Sequence, residues 1–144
     1  MAQNFPLAGL LRLRQLNQDQ AAGKLATANA RLAQTRENRD RAASALEGTG
    51  NDVGDSISLY AVAAARASAR SMLSDLEALD ALHRQEQDSA QTEYREARAK
   101  TVGLEKLENR HATAAEAEAI SAEQKVLDEL AAAGWERRRG SAQP

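Results

Sequence analysis

Apolar and small residues recur in the first third of the chain at alternating spacings of four and three: Leu7, Leu11, Arg14, Gln18, Ala21, Leu25, Ala28, Leu32, Thr35, Arg39, Ala42 and Leu46. An unbroken repeat of about 3.5 residues is a coiled-coil seam. It predicts a first helix over about 6–47, with Pro6 in the opening turn, where its missing N–H costs nothing. The pattern stops at Gly48-Thr49-Gly50-Asn51-Asp52-Val53-Gly54-Asp55, a cluster of helix breakers that predicts a turn over about 48–56. Asp55 or Ser56 can cap a second helix over about 57–137, followed by a tail at 138–144. The same spacing runs through it from Leu59 by way of Leu73, Leu76, Asp80, His83, Gln87 and Ala90 to Thr101 and Leu104, with Asp80 and Gln87 weakening it. The polar seam members Arg14, Gln18, Thr35 and Arg39 are expected to make the pairing weaker but better fixed in register.

Neither helix can bury its stripe alone, so the pattern predicts an all-α fold. It is a single domain, a long antiparallel two-helix coiled coil in which the second helix overhangs the first. A turn centred near Asn51-Asp52 pairs residues whose numbers add to about 104, which leaves some forty residues from Arg98 onward without a helix-one partner. That overhang carries Leu104, Leu107, Ile120, Val126, Leu127, Leu130 and Trp135, and a helix of this kind rarely exposes such residues without a use. A frayed or self-associated tail is the plain reading, and a docking spindle for another protein the sharper one.

Composition sharpens the picture. Of 144 residues, 32 are Ala and 17 are Leu, whereas only 3% are aromatic, too few for an ordinary globular enzyme core. The net charge of -2 removes the phosphate attraction of a general nucleic-acid binder. There is no cysteine, hence no disulfide or thiolate site, in keeping with a cytoplasmic protein. Arg12 and Arg14 interrupt the apolar opening, so it does not read as a secretory signal, and no window approaches a membrane span.

Candidate chemistry is sparse. His83 and His111 stand 28 residues apart on one helix, roughly 40 Å, too far to share a metal. The 48–55 turn lacks the residue order of a calcium or nucleotide loop. Neither a catalytic constellation nor a cofactor or metal site is expected. Between Met72 and His83, however, the apolar arc is wider than one partner helix covers: Met72, Leu76, Leu79 and His83 align at i, i+4, i+7 and i+11, flanked by Leu73 and Leu82. Core packing is the bland alternative for that stripe. The Arg137-Arg138-Arg139 triplet suits a helix C-terminus, with an acidic partner or membrane surface as the other reading. Upstream of it, residues 116–129 hold five acids and one Lys.

Several features together resemble one family. They are the Phe-Pro-Leu-x-x-Leu-Leu-x-Leu-Arg opening from Phe5 to Arg14, the coiled-coil arm, the Gly/Asn turn, the Leu104-Glu-Lys-Leu-Glu-Asn-Arg110 segment and the late Asp128-Glu129-Leu130-Ala131. In order, spacing and length they resemble the flagellar export protein FliJ. The resemblance implies a non-enzymatic stalk similar to the central subunit of rotary ATPases, with no cofactor of its own. It implies that the terminal end inserts into the hexameric ring of the FliI-type export ATPase and that the hairpin meets the FlhA-type export gate; a long hairpin is itself expected to be a monomer or weak dimer. It also implies contact with export chaperones, and a cytoplasmic place held at the inner membrane through partners. The Met72, Leu76, Leu79 and His83 stripe resembles the family's gate-binding stripe, with Met for an aromatic and Leu for an Ala. Leu104, Leu107, Leu127, Asp128, Glu129 and Leu130 are the corresponding candidates for the ATPase ring. The equivalent stalk of a virulence-type injectisome and a structural coiled-coil dimer scaffold are the competing readings.

Overall fold

The computed structural model describes residues 4–49 and 54–142. It contains two helices, α1 (Ala8–Gly48) and α2 (Ser56–Ser141). Pro6 lies in a turn that leads into α1, which is closed by the Ala8 amide on the Phe5 carbonyl (3.1 Å). Asp55 is the cap of α2. Its carboxylate accepts the Ser58 amide at 2.7 Å, and hydrogen bonds from the side chain and backbone of Ser58 hold its pKa below the ordinary value of 3.8. The cap is therefore fully present above that value and is lost as pH falls through the lower folded one. α2 passes through Gly134 and ends at Ser141, beyond the end near 137 that the sequence suggests. Arg138 and Arg139 in its last turn favour the negative end of the helix dipole.

By its contacts the chain divides into two units, Leu16–Ala99 and Met1–Gln15 with Lys100–Pro144. In Leu16–Ala99 the helices run antiparallel. Lys24 meets Glu93 (3.6 Å), Asn29 accepts from Gln87 (2.6 Å), Arg31 approaches Glu86 (3.9 Å), Arg36 reaches Asp80 (3.3 Å), and Arg66 donates to the Thr49 carbonyl (3.3 Å). The numbers in each pair add to 115–117. In the other unit the Thr101 hydroxyl donates to the Arg14 carbonyl (3.2 Å) and Phe5 packs on His111, ring centroids 5.7 Å apart, in the same register.

This corrects the register of about 104. The sequence reading ran both helices up to a turn centred on Asn51-Asp52, but the first three turns of α2 continue past the end of α1, so that Arg66, not Ser56, meets Thr49. Partners from α1 and the residues leading into it consequently extend to His111. The unpaired part of α2 begins after Ala115, not at Arg98, and residues 116–132 are all exposed.

The seam itself follows the periodicity closely. Every position in the α1 series from Leu11 to Leu46 is buried or half-buried, as is every α2 position from Val62 to Leu104, whereas most neighbours face solvent. Leu59 is exposed because no part of α1 reaches it. Of the buried apolar residues Leu11, Ala21, Ala28, Leu32, Ala42 and Ala90, four are alanines, which let the helices approach closely but remove little area from water. Thr35, Asp80 and Thr101 are buried among them. Thr101, only 1% exposed, is the most enclosed side chain described.

Gly23 and Gly103 lie inside helices, have no left-handed backbone, and meet nothing where a Cβ would be added. Each weakens its helix by about 0.5–1 kcal/mol relative to alanine without a packing reason. Gly23→Ala and Gly103→Ala are each expected to raise stability by about that amount, read from thermal melts.

Candidate functional site

The four-residue stripe of α2 separates into two kinds of position. Leu76 and His83 are half-buried on the seam, with the His83 side chain 15% exposed and Nδ1 3.0 Å from Glu86, which Arg31 of α1 also approaches. Met72 and Leu79 point outward at 54% and 39% exposure, beside Leu82 at 50%. Leu76 and His83 therefore hold the hairpin together, whereas Met72, Leu79 and Leu82 form an apolar surface beside it.

Asp80 lies on the seam, on the side of Leu76 and His83 away from the outer group. Its carboxylate is 7% exposed and is held by Arg84 one turn on (2.8 Å) and by Arg36 (3.3 Å) and Arg39 (4.0 Å) from α1. Three guanidinium groups compensate the desolvated charge. By its spacing alone Asp80 weakens the seam. Its signal was the complementary pair Arg36 and Arg39 in α1, visible once opposite seam positions are compared for charge.

The ring-contact candidates are not brought together in one patch. Leu104 is half-buried on the seam and Leu107 is exposed, some 30 Å along the helix from Leu127, Asp128, Glu129 and Leu130. Those four are exposed, Leu127 at 64% and Leu130 at 63%, with Ile120, Val126 and Trp135 exposed near them. Arg139 covers the Trp135 ring at 4.5 Å. A further exposed group, outside the heptad pattern, is Ile57 and Tyr60 in the first turns of α2, 78% and 77% exposed.

The depression along Leu16–Ala99 is an open groove between the helices, lined by residues such as Gly23, Thr27 and Ala90. Glu116, Glu118, Asp128 and Glu129 are exposed. Among the described residues, no cluster of His, Asp and Glu could hold a metal, and no helix is long and apolar enough to cross a membrane. Two antiparallel helices with a partly polar seam define a coiled-coil protein. The family model described as flagellar FliJ protein matches residues 3–140, and the chain belongs to that family. It is accordingly a non-enzymatic component of the flagellar export apparatus, whose family partners are the FliI ATPase and the FlhA export gate. No curated protein and no solved structure matches the chain.

Proposed function

We propose that this protein is the stalk that couples the FliI-type ATPase ring to the FlhA-type gate, with its unpaired α2 end in the ring and the Met72 to His83 stripe at the gate. The observation that supports the reading is the unequal pairing of the helices: α1 and the residues leading into it account for α2 as far as His111, residues 116–132 are exposed, and the exposed end keeps Ile120, Leu127, Leu130 and Trp135. Exposed apolar side chains at this density mark a binding surface. An asymmetric helical end touches each ring subunit differently, and those differential contacts bias the subunits' nucleotide states, while gate contact shifts the gate toward its open population. The stalk works as one copy per ring, at the cytoplasmic face of the inner membrane, held there by its partners, and it also meets export chaperones.

The test is ATP hydrolysis by the FliI-type enzyme with full-length protein and with a chain ended after Ala115. That truncation keeps the Thr101 to Arg14 and His111 to Phe5 contacts, so the paired region stays folded. Full-length protein is expected to stimulate hydrolysis and the truncated chain to leave it at the basal rate. Equal stimulation by both would place the ring contact elsewhere.

A further inference from the structure

The unpaired end of α2 has a second property, self-complementarity. At about 100° per residue, Ile120, Leu127, Leu130, Ala131 and Gly134 fall within an arc of about 100°, and this arc lies roughly 120° around the helix from the seam residues Thr101, Leu104, His111 and Ala115. A longer α1 would not cover it. Its apolar members are widely exposed, and Gly134 has nothing within 4 Å of an added Cβ, so no contact inside the chain calls for a glycine there. Glu116 and Arg138 lie on the same face at its two ends, both exposed.

We infer that this face pairs with the same face of a second copy, antiparallel and centred on Leu127, to give a weak two-fold dimer of the free protein. In that register Glu116 of each copy lies opposite Arg138 of the other, Ile120 packs over Gly134, and Leu127 meets its own equivalent. Each contact occurs twice, as an isologous interface requires. Charge selects the direction. A parallel pair would set Glu116, Glu123 and Arg138 each against its own copy, whereas the antiparallel pair faces Glu123 with Ala131, about 12 Å along the axis from the other Glu123. Of the three C-terminal arginines Arg138 lies nearest the centre of this face, with Arg137 about 70° and Arg139 about 130° away from it. The dimer covers residues that the ring is proposed to take up, so dimer and ring compete for the same end.

The test uses the full-length chain alone and does not depend on the ATPase reading. Sedimentation equilibrium across increasing concentration is expected to show the mass rising from 15.5 kDa toward twice that value. Glu116→Arg and Arg138→Glu, both at exposed positions and expected to melt as the parent does, should each weaken self-association by more than tenfold. Mixed one to one they should associate again, because the mixed pair restores both ion pairs. A parent that stays at 15.5 kDa throughout, single variants that associate as the parent does, or a mixture that stays monomeric would each overturn the inference.

Discussion

Asp80→Ala is expected to destabilise the hairpin by about 2 kcal/mol, because it removes a buried carboxylate held by charge-assisted hydrogen bonds and leaves a gap in the seam. Asp80→Leu is expected to recover most of that loss and yet give a less well-defined molecule. A buried ion cluster is often no more stable than well-packed apolar residues of similar volume, and its use lies in which pairing it permits. The stability of the two variants is read from urea or thermal unfolding. In the native register Asp80 meets Arg36 and Arg39. A slide by one heptad would place it near Asn29 or Ala43 instead, with no cation from α1 beside it, whereas a leucine tolerates either neighbour. The chain has no cysteine, so disulfide trapping reads the register directly. A pair introduced at 29 and 87, where Asn29 and Gln87 are hydrogen-bonded, closes in the native alignment, and a pair at 29 and 94 closes only after a slide. The parent background is expected to close the first pair alone and the Asp80→Leu background both. Closure of only the first pair with leucine present would mean that the register is fixed elsewhere.

The same cluster explains which part of the fold was legible in the sequence. The seam was readable position by position, since burial of a narrow stripe depends only on the 3.5-residue repeat, and Leu11 through Leu46 and Val62 through Leu104 obey it. Register was not readable that way, because every alignment offset by a whole heptad buries the same stripe. The glycine-rich turn alone implies Leu7 opposite Ala97, whereas α2 overruns the end of α1 and Arg66 meets Thr49. The information lay in the polar seam residues. Asp80 finds two cations in α1, and Gln87 finds Asn29, in the observed alignment. The apolar excess between Met72 and His83 was legible from the spacing alone. Its division into seam and surface was not, because Leu76 and His83 satisfy the coiled-coil pattern and the stripe pattern at once.

That division yields the second large effect. Met72→Asp and Leu79→Asp are each expected to weaken binding to the FlhA-type gate by more than tenfold, measured by titration calorimetry, while the melting temperature stays within about 2 °C of the parent, since both side chains already face water. Leu76→Ala is expected to behave differently. It removes a half-buried seam side chain, costs about 1–2 kcal/mol of stability, and reduces gate binding only as far as it loosens the hairpin. His83→Ala resembles Leu76→Ala, because its ring is held against Glu86 beside Arg31 and exposes little area to a partner. A gate that takes up all four residues by opening the hairpin predicts the opposite ranking: loosening the seam through Leu76 would then strengthen binding, since less packing has to be undone. Tight binding by the Leu76→Ala protein together with tolerance of Met72→Asp would therefore replace docking on an outer face with docking between the helices.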